Sequence, residues 1–108
     1  RGMPLSAIYS ASKSALKTAM ESFSLDYKNH DIKFRIVSPG FVDTPLTSKN
    51  NFYMPFLISS EKAAVKIYNF VIKSNKFETS FPFPFAIFMK ILTIMPWRIY
   101  KFLIHSKF

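Results

Sequence analysis

Apolar and polar positions follow the period of an α-helix in the first part of the chain. Between Ser10 and Lys28 the residues are good helix formers, and large side chains recur at steps of three and four. That stripe consists of Tyr9, Lys13, Leu16, Met20, Phe23 and Tyr27. Beside it lies a line of small residues, Ser12, Ala15, Ala19 and Ser22. The pattern predicts one amphipathic helix over 10–28 whose small side chains favour a second helix, in a homo-oligomer or within the chain.

The period changes after Asn29-His30-Asp31, a polar segment that ends the helix. Residues 32–37 alternate apolar with basic and then become fully apolar, which predicts a strand that enters a sheet. The turn dipeptide Pro39-Gly40 ends this strand, and residues 38–56 have the composition of a loop. Long loops at the carboxyl ends of strands are where α/β proteins bind ligands.

A second helix is predicted after this loop. Ser59 or Ser60 can cap it, and Glu61 in its first turn suits the positive end of the helix dipole. Its apolar face is predicted to consist of Ala64, Ile67, Tyr68 and Val71. The helix ends near Lys73, and a short strand over 77–81 follows. The order helix, strand, helix, strand predicts an α/β fold.

Residues 82–108 form a separate segment in composition, because aromatic and aliphatic residues dominate and no acid occurs. Its cations are Lys90, Arg98, Lys101 and Lys107. Pro96 divides it into two helical pieces, because proline lacks the amide donor that a helix needs. The charge-free stretch 79–89 is too short to span a bilayer, so no transmembrane helix is predicted. The segment is interpreted as a membrane-interface contact, a wall of a substrate cleft, or a subunit contact.

Length, charge and cysteine content narrow the function classes. The 108 residues are one small domain at most, and a chain that begins Arg1-Gly2 is expected to be a piece of a longer protein. The absence of cysteine excludes disulfides and thiolate zinc sites, and His30 and His105 are isolated, so no metal site is expected. The net charge of +9 comes mostly from single, scattered lysines, which disfavours nucleic-acid binding. A cytoplasmic location is expected, with peripheral contact with the inner face of the membrane as an addition.

Tyr9 and Lys13 are the candidate reactive pair. Residues four apart lie on neighbouring turns of a helix, so the two side chains can share one site. A nearby ammonium lowers the pKa of a tyrosine, which is about 10 when free, and makes the phenol usable as a general acid or base. Such a phenol can protonate a carbonyl oxygen while a nicotinamide delivers hydride to the carbon. A bare pair of this kind is more often a surface tyrosine that rests along a lysine stem, so the context decides.

The context is a second run at a fixed distance. The run from Tyr9 to Lys13 (YSASK), a helix, and the run from Ile36 to Pro45 (IVSPGFVDTP) together resemble the short-chain dehydrogenase/reductase (SDR) family. The resemblance covers residues 1–81 with no gap between the two motifs. It implies the C-terminal portion of a Rossmann-like doubly wound parallel sheet, followed by a hydrophobic helical tail over 82–108.

The resemblance also implies roles for the reactive pair. The residue that matches Tyr9 is the catalytic acid and base of the family. The residue that matches Lys13 lowers the pKa of that tyrosine and hydrogen-bonds the nicotinamide ribose. Both residues are therefore expected to contact the cofactor, which is NAD or NADP, and the sequence does not distinguish the two.

The second run is implied to hold the rest of the cofactor. Pro39 and Gly40 match the turn that brings backbone against the nicotinamide. Val42 matches the residue whose backbone meets the carboxamide, and Thr44 matches the hydroxyl that contacts carboxamide or phosphate. Residues 45–58 match the mobile substrate loop, and their aromatic side chains, Phe52, Tyr53 and Phe56, favour an apolar or lipid-like substrate.

Two departures from the family pattern affect the expectations. Asp31 stands where the family commonly has a glycine in the left-handed conformation. The family's Gly-rich phosphate motif and catalytic serine are not among these residues, so the 108-residue piece is expected to be inactive alone. The full-length parent is predicted to be an NAD(P)-dependent oxidoreductase that interconverts an alcohol and a carbonyl. The alternative is a non-catalytic peripheral membrane-binding module that uses the basic aromatic tail.

Overall fold

The computed structural model describes residues 1–105, in which helices alternate with short strands. The described elements are α1 (Ala7–Asp26), β1 (Ile36–Pro39), β2 (Val42–Asp43), a 3₁₀ turn (Thr47–Lys49), β3 (Ile58–Ser59), α2 (Ser60–Lys73), β4 (Glu78–Phe81), α3 (Phe83–Ile94) and α4 (Trp97–His105). The predicted order of helix, strand, helix and strand is confirmed by α1, β1, α2 and β4. The chain is therefore an α/β protein, as the sequence predicts.

The segment Arg35–Ala86 is one compact unit that contains two parallel strand pairs. β1 pairs with β4, in a register that runs from Ile36 opposite Glu78 to Pro39 opposite Phe81. β2 pairs with β3, also in parallel. Parallel strands need a long crossover between them, and the connection from β1 to β4 contains α2. The arrangement agrees with part of a Rossmann-like parallel sheet.

The core of this unit consists of the buried side chains Ala63, Phe70 and Phe81. Arg35 holds the end of α2, because its guanidinium donates to the carbonyl oxygens of Phe70 at 3.1 Å and Val71 at 2.8 Å. The Phe70 oxygen also accepts from the Ser74 amide at 3.2 Å. Carbonyls in the last turn of a helix lack a partner within the helix, so the bond to Val71 satisfies a group that the helix leaves open. The Arg35 guanidinium also lies 5.7 Å from the centre of the Phe70 ring.

The amino end of α2 confirms the predicted cap. The Ser59 hydroxyl accepts a hydrogen bond from the Lys62 amide at 3.3 Å. Glu61 lies in the first turn, where a hydrogen bond from its own backbone amide lowers the pKa of its carboxyl group, with smaller contributions from the Ser59 and Ser60 hydroxyls. A negative charge at this end of a helix also meets the positive end of the dipole.

Arg1–Phe34 and Ile87–Phe108 form the second unit, and the boundary at residues 86 and 87 falls inside α3. Its buried side chains are Leu92 of α3 and Tyr100 of α4, and α1 contributes none. The division of the tail at Pro96 into two helices, α3 and α4, is confirmed. The part of the tail prediction that falls on residues 106–108 lies outside the described residues.

Arg1, at the start of the chain, contacts both tail helices. Its guanidinium donates to the carbonyl oxygens of Leu92 and Thr93, each at 3.1 Å. The same group lies 4.3 Å from the centre of the Tyr100 ring. The Tyr100 hydroxyl donates to the Gly2 carbonyl oxygen, so α4 is held at a fixed rotation about its own axis.

The strand predicted over 32–37 is wrong for residues 32–35, because the ladder begins at Ile36. Its partner strand β4 begins only at Glu78, and the first cross-strand bond comes from the Ile36 amide to the Phe77 carbonyl oxygen at 2.8 Å. The preceding Phe34 instead packs its ring at 5.6 Å from Phe23, on α1. A strand cannot extend past the residues that have a partner.

The predicted apolar face of α2 is also wrong, since Ala64, Ile67, Tyr68 and Val71 are all exposed. The buried positions are Ala63 and Phe70, so the helix is rotated by about one residue relative to the prediction. The buried face is the one that Arg35, just before β1, contacts at Phe70, so contacts from outside the helix set its rotation.

Two backbone expectations for the loops are changed. Asp31 does not adopt the left-handed conformation, which among the described non-glycine residues is found at Leu5 (φ 59°) and Phe56 (φ 58°). The segment 38–56, predicted as loop, contains β2 and the 3₁₀ turn.

Within residues 1–105 no helix has both the length and the apolar character needed to cross a bilayer.

Candidate active site

α1 places Tyr9 and Lys13 side by side near its amino end. The Lys13 ammonium nitrogen lies 5.6 Å from the centre of the Tyr9 ring, within the range of a cation–π contact. Tyr9 is 65% exposed, so its hydroxyl is open to a reactant. The Ser12 hydroxyl donates to the Tyr9 carbonyl oxygen at 2.8 Å. The four-residue spacing thus does bring the two side chains together on one helix face.

The first turn of α1 is held by serines. The Ser6 hydroxyl donates to the Met3 carbonyl oxygen at 3.1 Å and lies 3.0 Å from the Ser10 hydroxyl. The Ser10 amide donates to the Ser6 carbonyl oxygen at 2.8 Å, which starts the helical ladder. These contacts fix the turn from which Tyr9 projects.

The Pro39-Gly40 turn is closed by a tight approach of backbone to backbone. The Gly40 amide donates to the Phe81 carbonyl oxygen at 2.7 Å. A Cβ atom on Gly40 would lie 3.1 Å from Pro82 Cδ, 3.3 Å from that same carbonyl oxygen and 3.4 Å from Phe85 Cδ1. Gly40 does not have a positive φ. This position therefore requires glycine because of the space beside it, not because of its dihedral angles.

Thr47 organises the backbone that follows β2. Its hydroxyl accepts from the Thr44 amide at 2.9 Å and can donate to the carbonyl oxygen of Val42 at 2.7 Å or of Thr44 at 3.0 Å. A hydroxyl has one proton to donate, and the Val42 bond is the shorter of the two. The Thr44 hydroxyl lies 3.1 Å from the Thr47 hydroxyl. Thr47 thereby fixes the two residues that the SDR resemblance assigns to the carboxamide.

Thr47 was missed by the sequence reasoning, although a signal for it exists. A threonine three residues after Thr44 is a spacing at which hydroxyls bond to nearby backbone groups in turns and helix caps. The Thr47 amide does bond back to the Thr44 hydroxyl at 3.3 Å, which makes the contact reciprocal. The pattern lies inside the predicted loop and could have been found there.

The aromatic residues of the loop are all exposed, and one of them contacts the strand end. The Phe52 ring lies 5.9 Å from the Phe41 ring, and Phe41 lies 5.9 Å from Phe85. Phe52 therefore ties the loop to the strand end. Phe52 is nevertheless 58% exposed, and Tyr53 (86%) and Phe56 (55%) are exposed as well.

The short chain dehydrogenase family model matches residues 1–53, a range that holds both the Tyr9–Lys13 run and the Pro39–Thr44 run. The chain belongs to the short-chain dehydrogenase/reductase family. This SDR chain is 35% identical, over 96 residues, to a protein of Myxococcus xanthus (strain DK1622) named "Uncharacterized oxidoreductase". The match covers 89% of this chain and 38% of that relative, so this chain spans about two fifths of the relative's length. No solved structure matches this chain.

The candidate site residues of this SDR chain fall into two sets. Tyr9 and Lys13 lie together in the unit that contains α1, and Pro39, Gly40 and the Val42–Thr44 segment lie together in the unit Arg35–Ala86. Each set has the internal geometry described above. Within residues 1–105, no group of three or more histidines and carboxylates is placed to hold a metal ion.

Proposed function

We propose that the protein to which this chain belongs is an NAD(P)-dependent oxidoreductase that interconverts an alcohol and a carbonyl. The observation that carries the proposal is the adjacency of Tyr9 and Lys13 on α1, within the segment that matches the family. The Myxococcus xanthus relative, which is named an oxidoreductase, supports the same reaction class.

In the direction of carbonyl reduction, the Tyr9 phenol gives its proton to the carbonyl oxygen as the carbon is reduced. Alcohol oxidation is the reverse, and the tyrosine oxygen then takes the proton of the hydroxyl group. A bound nicotinamide supplies the hydride and accepts it in reverse. The Lys13 ammonium has three N–H donors, enough to face the phenol and a ribose hydroxyl together.

The second set of residues has donors and acceptors that fit a carboxamide. The Val42 carbonyl oxygen has a second lone pair besides the one that faces Thr47, and can accept from an amide N–H. The Thr44 hydroxyl can donate to an amide oxygen. Pro39 and Gly40 keep the backbone of this turn close to the strand end, because the missing Cβ of Gly40 lets the turn approach Pro82 and the Phe81 carbonyl oxygen. These residues suit the nicotinamide end of NAD or NADP.

The substrate is proposed to be apolar or lipid-like. The exposed ring of Tyr53 and the exposed Phe56 offer apolar contact, while Phe52 anchors their loop to Phe41. A homo-oligomer is proposed through α1, because this helix buries no side chain and three of its four small residues, Ser12, Ala15 and Ser22, are exposed. Sedimentation of the protein with Ala15→Glu, a bulky charge in that line, tests the oligomer; an unchanged oligomer contradicts it.

The test of the reaction uses the full-length native protein, assayed with NADH and NADPH against apolar ketones and aldehydes. Tyr9→Phe keeps the ring and removes the proton, so we expect kcat to fall roughly 10²–10⁴-fold. Tyr68→Phe, an exposed tyrosine on α2, is the matched control and should keep wild-type kcat. Unchanged kcat in Tyr9→Phe would exclude the proposed role.

We also expect no turnover from the 108 residues alone. Their only two glycines are Gly2 and Gly40, so they hold no Gly-rich turn for a pyrophosphate group. NAD(P)-dependent turnover by the isolated chain contradicts this expectation and leaves the role of Tyr9 intact.

A further inference from the structure

The charge of the chain is divided unevenly along its length. All six acidic residues precede residue 79. Residues 82–105, which include α4, contain cations and no acidic side chain. α4 itself carries Arg98, Lys101 and His105 within nine residues. No acid on the same segment can neutralise them, so this part of the surface attracts anions.

The rotation of α4 is fixed by its buried side. Tyr100 is 3% exposed, and its hydroxyl donates to the Gly2 carbonyl oxygen while Arg1 covers its ring. The opposite side carries residues at steps of three and four, which share one helix face. We name it the basic tail face: Arg98, Lys101, Phe102 and His105, which line one open cavity of about 380 Å³.

Phe102 is the unexpected member of the basic tail face, because it is an aromatic ring, 73% exposed, among cations. The same helix also exposes the apolar side chains of Trp97, Ile99 and Leu103, of which Ile99 lies one turn before Phe102. Long cationic side chains can hold their charged ends in water while apolar neighbours enter a less polar medium. This mixture is typical of helices that lie in the headgroup region of a bilayer.

We propose that the basic tail face binds the surface of an anionic lipid bilayer. Phe102 enters the headgroup region, and Arg98 and Lys101 contact lipid phosphates. A helix of nine residues is about 13 Å long, too short to span a bilayer, and therefore lies in its plane. Nucleic acid is the weaker partner: Phe102 offers one ring on which a base can stack, but Ile99 and Leu103 add exposed aliphatic surface, which suits a bilayer and not a base. The proposal does not depend on the reaction proposed above.

The experiment mixes the whole chain with vesicles of phosphatidylcholine, alone or with phosphatidylglycerol. The single tryptophan, Trp97, is the first residue of α4, so its fluorescence reports the position of this helix. We expect co-sedimentation and a blue shift of the Trp97 emission with the anionic vesicles only, and both should weaken as salt is raised.

Matched variants test which residues bind. Arg98→Gln with Lys101→Gln should lower the partition coefficient roughly 25-fold, about fivefold for each removed cation. Lys62→Gln with Lys76→Gln removes the same net charge elsewhere and should lower it by about twofold or less. Phe102→Ser should abolish the blue shift and leave the charge unchanged.

Several results overturn the proposal. These are equal binding to neutral vesicles, equal losses in the two double variants, or an unshifted Trp97 emission in the anionic sample. A blue shift that depends on protein concentration without vesicles would assign the face to a second copy of the chain. Tight binding of duplex DNA with no partition into vesicles would assign it to nucleic acid.

Discussion

The unit Arg35–Ala86 and helix α1 support their candidate residues in different ways. The first buries Ala63, Phe70 and Phe81 and holds Gly40 by a backbone bond to a residue far along the chain. α1 buries no side chain, and Tyr9 meets Lys13 only because the helical period brings them together. The Pro39-Gly40 turn therefore depends on long-range contacts, whereas the Tyr9–Lys13 pair depends on local helix geometry.

The sharpest test of this contrast compares two large-to-small substitutions. Phe70→Ala leaves a cavity in a buried position and should lower the free energy of unfolding by about 3–5 kcal/mol. Leu16→Ala on α1, where the side chain is 56% exposed, should change it by no more than about 0.5 kcal/mol. Urea denaturation measures both values. Equal losses in the two variants would mean that the buried core does not set the stability.

A smaller loss is expected from an added methyl group at the Pro39-Gly40 turn. Gly40→Ala places a Cβ atom at 3.1 Å from Pro82 and 3.3 Å from the Phe81 carbonyl oxygen, and should cost about 1–3 kcal/mol. Gly2→Ala is the control, because a Cβ at Gly2 meets no atom within 4 Å. Thermal unfolding should separate the two variants; a Gly40→Ala chain as stable as Gly2→Ala would show that the turn can shift.

Removal of one hydroxyl tests the turn that Thr47 organises. Thr47→Val removes the hydroxyl that bonds the Thr44 amide and the Val42 carbonyl oxygen, and should lower the free energy of unfolding by about 1 kcal/mol. Thr18→Val on α1 is the control, because the Thr18 hydroxyl donates only to a carbonyl one turn earlier. Hydrogen exchange of the Thr44 amide should accelerate in the first variant and not in the second. Unaltered exchange in Thr47→Val would remove Thr47 from the turn.

The smallest effect is the pH dependence that Glu61 confers on α2. Hydrogen bonds to the carboxylate lower its pKa in the folded state, so its stabilisation is present above the pKa of the unfolded chain. That stabilisation is lost as the pH falls through the lower, folded pKa. Ser59→Ala and Glu61→Gln should each flatten this acid limb in urea titrations at a series of pH values. An acid limb that is the same in Glu61→Gln and wild type would contradict the assignment.

What could be predicted from the sequence was decided by the distance between interacting residues. The Tyr9–Lys13 pair, the Ser59 cap and the break at Pro96 involve neighbours within four residues, and all three were found. The start of β1 was misplaced because it depends on where β4 begins.

The rotation of α2 was missed for a related reason. The buried side of that helix is set by Arg35 and by the strands, which lie outside the helix. Periodicity within the helix does not include these contacts, so the predicted face was off by one residue. Thr47 bonds to a residue only three positions away, but the composition of its segment predicts a loop and does not indicate this contact.

The registers of the two strand pairs have a consequence for the order of folding. Val42 and Ile58 are 16 positions apart, whereas Ile36 and Glu78 are 42 apart, and the shorter loop lies inside the longer one. Closing the longer loop alone costs about 0.9 kcal/mol more chain entropy. Closure of the inner pair first shortens the free chain that β1 and β4 still have to bring together. The two-residue strands β2 and β3 therefore favour assembly from the inside outward.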